Sequence, residues 1–241
     1  MTTAQIKALT TEQVASLSTD QVAALLSATQ IKALTSDQVA SLTTDQIVAF
    51  TGAQVAALTT DQVVALGSDQ IMAIETDDLQ KMTTAQIKAL SSDQTVSLST
   101  DQVKALLGAQ VAALTTDALS VLTSDQVAAI DSADVQKMTT GQIQALTTKQ
   151  IRGLDSNFLG SLTSDQLVAL QTNQVAALSG TQLGYIASDK IIAMETDDLR
   201  AISSAQIRTI STDVIKGLSS TQINALTTGQ MATLTSSQLA A

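Results

Sequence analysis

The chain has 241 residues, a formal net charge of −10 and a sequence pI near 4.2. It contains no His, Cys, Trp or Pro, a single Tyr (Tyr185) and two Phe (Phe50 and Phe158). The commonest catalytic base, the thiol nucleophile and the usual transition-metal ligands are therefore missing, and disulfides are excluded. A negative chain almost free of aromatic rings repels phosphate and offers no stacking platform, so nucleic acid is not an expected partner.

One eight-residue unit recurs along the whole chain. Units begin at Met1, Leu9 and Leu17. A single extra residue, Leu25, intervenes, and units then begin at Leu26 and at every eighth residue to Leu234. Thirty units result, and 1–241 reads as a single continuous repeat domain. Position 1 is always Leu, Ile, Met or Phe. Position 2 is Ser or Thr in 22 units, position 5 is Gln in 23, position 6 is apolar in 29 and position 8 is Ala in 18. Position 4 is acidic in 15 units. Position 7 varies and carries eight of the twelve basic residues.

Each unit reads as a helix start. Ser or Thr at position 2 acts as N-cap, accepting from a backbone N–H of the first turn. Gln at position 5 then falls at N3 and completes a capping box. Positions 1 and 6 take the places of a hydrophobic staple, and Asp at position 4 favours the positive end of the helix dipole. The exceptions agree with this reading. Positions 2 and 5 depart together in Glu75 with Asp78, Asp131 with Asp134, Asp155 with Phe158, Ala187 with Lys190, and Glu195 with Asp198.

One continuous helix is excluded, because eight residues overshoot two turns by about 80° and no apolar seam persists. A β-solenoid is disfavoured, because Gln-Val-Ala-Ala-Leu lacks strand alternation. The sequence therefore predicts an all-α chain, an α-solenoid or superhelix of about thirty very short helices. Positions 1, 6 and 8 are expected to face inward. Leu25 is expected to form a bulge or a longer connection. Helices this short are marginal alone and must stack on their neighbours.

Taken in chain order, few units stand out. The acidic unit with Glu75, Asp77 and Asp78 is nearly copied by Glu195, Asp197 and Asp198, and Asp131 with Asp134 is a sparser version. These carboxylates are the candidate Ca²⁺ ligands, since Ca²⁺ takes several hard oxygens. The opposing reading is that acids at N-cap, N2 and N3 simply suit a helix N-terminus. No other cofactor is expected. Lys81 and Lys137 each close an acidic unit and are expected to pair with charge nearby. Tyr185 replaces the usual Ala of position 8 and is expected to fill a local gap, the alternative being a contact surface. Met82 to Leu90 repeats Met1 to Leu9 residue for residue, so the chain reads as a piece of a longer array.

Stretches such as Leu58 to Leu66 and Leu122 to Ile130 resemble tandem LTTxQVxAL arrays of very large bacterial surface or secreted proteins. The resemblance implies a structural, adhesin-like, extracellular region without catalytic residues. The same stretches resemble the first helix of TAL-effector repeats, but that likeness ends after one short run. The repeat period of about 34 residues and the basic surface are absent. No membrane span and no signal peptide are expected in this chain. The expected function is a non-catalytic spacer, stalk or filament segment that associates end to end or side by side. The rival readings are a solenoid scaffold that binds a protein or peptide, and an engineered repeat array.

Overall fold

Every eight-residue unit folds as one short α-helix and one extended corner. In the computed structural model the backbone is described for residues 1–241, and the side chains for all of them but Leu25. Thirty helices follow one another, from α1 (Thr3–Lys7) through α8 (Thr60–Ala65) to α30 (Ser236–Leu239), and none exceeds seven residues. Among the described residues there is no strand, and no helix is long and apolar enough to cross a membrane.

The corner is set by positions 1 and 2. In α8 the N-cap Thr59 is extended, with φ −75° and ψ 161°, and the C-cap Leu66 is extended again, with φ −64° and ψ 137°. No described residue has a positive φ, so these helices stop without the left-handed glycine that ends many others. The chain turns simply by leaving helical space for two residues.

The chain divides into two units, Met1–Leu122 and Thr123–Ala241. In the first, each helix packs on the third helix after it: α1 on α4 (Ala28–Ala33), α2 (Thr11–Ala15) on α5 (Ser36–Ala40), α3 (Thr19–Leu25) on α6 (Thr44–Val48), and so on to α12 (Ser92–Ser97) on α15 (Thr116–Val121). Most helices of the second unit follow the same rule, from α16 (Ser124–Ala128) on α19 (Thr148–Gly153) to α27 (Thr212–Gly217) on α30. Each unit is thus a solenoid with three helices, or 24 residues, to a turn. Equivalent positions stack above one another, which is how helices of one or two turns acquire tertiary support.

Position 6 forms the centre of the core. Val39, Val63, Ile71, Val127, Ile151 and Val175 are fully buried. Position 1 supplies the second layer through Leu42, Phe50, Leu98, Leu154 and Leu178. The third buried position is not 8 but 5. The glutamines from Gln38 onward are almost all buried, whereas most position-8 alanines, such as Ala65 and Ala105, are half-buried. Leu25 is the last residue of α3 (Thr19–Leu25), which it brings to seven residues.

Candidate functional site

The buried glutamine is the feature that organises the molecule, and Gln62 shows how. Its Oε1 accepts from the backbone N–H of Thr59 at 2.8 Å, and its own backbone N–H donates to Thr59 Oγ1 at 3.2 Å. That is the capping box expected at the start of the helix. The amide has another end. Gln62 Nε2 donates to the carbonyls of Ile31 at 2.8 Å and Leu34 at 2.7 Å, in the turn before. Those carbonyls belong to the end of α4 (Ala28–Ala33) and its C-cap. Helix C-termini leave carbonyls without intrahelical partners, and a buried carbonyl is costly to leave with too few donors. One side chain thus caps the start of its own helix and the end of another.

The same clip recurs at Gln86, Gln94, Gln102, Gln110, Gln166, Gln174, Gln230 and Gln238, each reaching residues 28 and 31 positions earlier. Around Leu25 the register slips by one: Gln38 reaches Ile6 and Leu9, 32 and 29 residues back. Repeat position, not sequence distance, selects the partner.

Units that break the pattern show what it requires. At Gly67, Leu107 and Gln171 the N-cap hydroxyl is missing, yet Gln70, Gln110 and Gln174 still accept the N-cap N–H at 2.7 to 2.9 Å. Lys190 stands where Gln is usual, and its Nζ donates to the carbonyls of Gly160 and Leu162. An ammonium here does the donor half of the amide's work. Asp155 caps the N–H of Phe158 with its own carboxylate at 2.8 Å, and Phe158 fills the core with its ring.

The candidate Ca²⁺ ligands occupy these irregular starts. Glu75 is the N-cap of α10 (Thr76–Leu79) and makes no side-chain cap, with Asp77 and Asp78 in the first turn. Glu195, Asp197 and Asp198 repeat this on α25 (Thr196–Ala201), and Asp131 and Asp134 on α17 (Ser132–Val135). Among the described residues no three acidic groups converge in a metal-holding arrangement. Asp78 and Asp198 instead take the inward glutamine position. Burial pushes the Asp78 carboxyl above its ordinary value, and the charges of Glu75 and Asp77 add to the rise while Lys81 opposes it. Asp198 is also raised by burial. The hydroxyl of Thr172, donating to its Oδ1 at 2.9 Å, pulls the other way, and Glu195 and Asp197 push it up.

Tyr185 is 42% exposed, with the rest of its surface covered. Arg200 pairs with Asp197 at 3.7 Å, and the charge of Lys81, just after α10, opposes the rise of the Asp78 carboxyl, as expected of a cation that closes an acidic unit. Lys81 lays its alkyl stem over Gly52, where a Cβ would come within 2.6 Å of Lys81 Cγ. A depression of about 800 Å³ lies beside it, lined by Gly52, Ala53, Ala56, Asp77, Asp78 and Lys81 among others. The small side chains that α7 (Gly52–Ala57) presents there leave this space open.

The comparisons agree with the repeat. The ALTTAQ repeat matches the chain at residues 1–25, 26–52, 48–73, 71–108, 127–164 and 191–228. Several matches span about three eight-residue units, the length of one structural turn. No curated protein matches the chain.

Proposed function

This chain belongs to the ALTTAQ repeat family, and from that premise we propose that it is a non-catalytic structural protein, a solenoid spacer, stalk or filament segment. The observation that carries the reading is the glutamine clip. Most units devote a position-5 glutamine to fastening a turn to the turn before. An enzyme would set aside buried polar groups for chemistry, whereas here the buried amides serve the backbone.

The clip also supports self-association. Gln5, Gln13 and Gln21 complete their capping boxes and are exposed, so any open turn of the repeat of this kind presents the donors that later turns seat on a stacked neighbour. Another turn of the same repeat supplies the carbonyls that such amides bond elsewhere in the chain. A second copy stacked on this face forms a heterologous contact, which propagates as a filament unless it closes. Sedimentation velocity over a range of concentrations, with electron microscopy of the products, tests this. Growing rods are expected, and a strictly monomeric chain at high concentration overturns it. Gln5→Glu, Gln13→Glu and Gln21→Glu together keep the capping acceptor and remove the donor, so they are expected to abolish growth.

The adhesin-like, surface or secreted setting rests on the likeness of Leu58 to Leu66 and its neighbours to repeat arrays of that kind. Labelling of intact cells with an antibody to the repeat tests it, and signal only after lysis would count against it. Ca²⁺ at Glu75, Asp77 and Asp78, or at Glu195, Asp197 and Asp198, belongs to the same setting. Calorimetric titration with Ca²⁺ decides it, and absence of heat removes the idea.

A further inference from the structure

Three helices to a turn sort the variable positions 4 and 7 onto three faces, and in the unit Met1–Leu122 one face is unlike the others. It is built by α3, α6 (Thr44–Val48), α9 (Ser68–Met72), α12 (Ser92–Ser97) and α15 (Thr116–Val121), each packed on the next. Position 4 on these five helices is Asp20, Asp45, Asp69, Asp93 and Asp117, all exposed. Position 7 on the middle three is Val48, Met72 and Val96, which are 47%, 51% and 40% exposed. The five helices carry no Lys or Arg. The basic residues of this unit lie on the other two faces, with Lys7, Lys32 and Lys104 on α1, α4 and α13 (Thr100–Ala105), Lys81 just after α10, and Lys88 on α11 (Thr84–Ala89). Positions 4 and 7 are three residues apart and neighbours on a helix surface. The face therefore bears a column of carboxylates beside a column of apolar side chains.

We propose that this face docks a cationic amphipathic helix of a partner protein. Charge complementarity selects the sign of the partner, because five carboxylates with no interspersed cation repel nucleic acid, anionic lipid and the like face of a second copy. Spacing selects the helix. Stacked helices lie about 8–10 Å apart, and a helix carrying a cation every seventh residue repeats at about 10.5 Å, so its cations keep step with Asp45, Asp69 and Asp93. Leucines three or four residues from each cation then meet Val48, Met72 and Val96, the usual way an amphipathic helix is held on an apolar strip.

The test uses the whole chain and a labelled synthetic peptide with Lys at every seventh residue and Leu three residues after each Lys. A scrambled peptide of the same composition serves as comparison. Fluorescence anisotropy near 0.15 M salt, where long-range attraction is screened beyond about 8 Å, reads the affinity. The periodic peptide is expected to bind at least about tenfold more tightly than the scrambled one. Asp45→Asn, Asp69→Asn and Asp93→Asn together remove that preference. Val48→Ser, Met72→Ser and Val96→Ser, all on exposed positions, weaken it without touching the core. Glu12→Gln, Asp37→Asn and Asp61→Asn remove as many charges from the neighbouring face of α2, α5 and α8 and leave binding unchanged. Circular dichroism confirms that each variant stays helical. Equal binding of the two peptides overturns the proposal. So does no binding, or an equal loss in the two charge variants.

Discussion

Gln94 Nε2 donates to the carbonyl of Leu66 at 2.7 Å, across 28 residues and from one turn to the turn before. The same nitrogen also donates to Val63 at 2.8 Å, while Gln94 Oε1 accepts from the N–H of Ser91 at 2.9 Å. Both ends of one neutral amide are thus in use.

Gln94→Ala is expected to be costly. It leaves two carbonyls with fewer donors inside the protein, and such groups cost about 1–3 kcal/mol each. Gln13→Ala removes only a capping box whose glutamine is exposed, worth about 1 kcal/mol. Urea denaturation of both variants against the parent checks the ranking. Equal midpoints would show that the inter-turn bonds add nothing.

Two glycines in the unit Thr123–Ala241 respond in opposite directions. A Cβ on Gly153, at the end of α19 (Thr148–Gly153), would lie 2.5 Å from Cβ of Ser124 in the helix it packs on. Gly153→Ala is therefore expected to lower stability by about 1–3 kcal/mol through overpacking. Gly141 stands in the first turn of α18 (Thr140–Ala145) and a Cβ there would meet nothing closer than Thr139 Oγ1 at 3.9 Å. Gly141→Ala is expected to raise stability by up to about 1 kcal/mol, the helix-propensity difference. Thermal unfolding of the two variants measures both signs.

Asp198 makes the fold less stable as it ionises. Its folded pKa is raised above the ordinary 3.8, first by burial. The folded state therefore binds its proton more tightly than the unfolded chain does. Below the unfolded pKa there is no penalty, and the penalty grows as pH rises from about 3.8 through the folded value. Asp198→Asn is expected to stabilise the chain at pH 7 and to change little at pH 3. Denaturant midpoints at the two values check this, and a gain of the same size at both would refute it.

Thr95 is the polar exception at position 6. It is fully buried, and its Oγ1 donates to the carbonyl of Ser91 at 2.8 Å. That carbonyl also accepts from the N–H of Thr95 at 2.8 Å, so it stays satisfied without the hydroxyl. Thr95→Val restores the usual residue and is expected to raise the melting temperature by a few degrees, roughly 1 kcal/mol in a chain of this size. A lower melting temperature would give the hydroxyl a role the local bonds do not explain.

Much of this architecture was legible in the sequence because it is local. A hydroxyl three residues before Gln reaches the backbone of its own helix start, so Thr59 and Gln62 announce their helix wherever the chain goes next. The joint departures of Glu75 with Asp78 and of Ala187 with Lys190 carried the same message, because the two side chains of a box meet in space. The second use of the amide was hidden, since the carbonyls of Ile31 and Leu34 are neighbours of Gln62 only after the chain has turned. For the same reason the alanines of position 8 were expected inside, where the glutamines lie.

The sequence by itself determined thirty short helices, their caps and their apolar sides, because each depends on residues within one eight-residue unit. Only the tertiary structure decided that three helices make a turn, because that number follows from how the extended corners at positions 1 and 2 bring one unit over another. Once it is known, position 7 ceases to be random. Val48, Met72 and Val96, 24 residues apart, fall into one column beside Asp45, Asp69 and Asp93, and the variable position acquires a face.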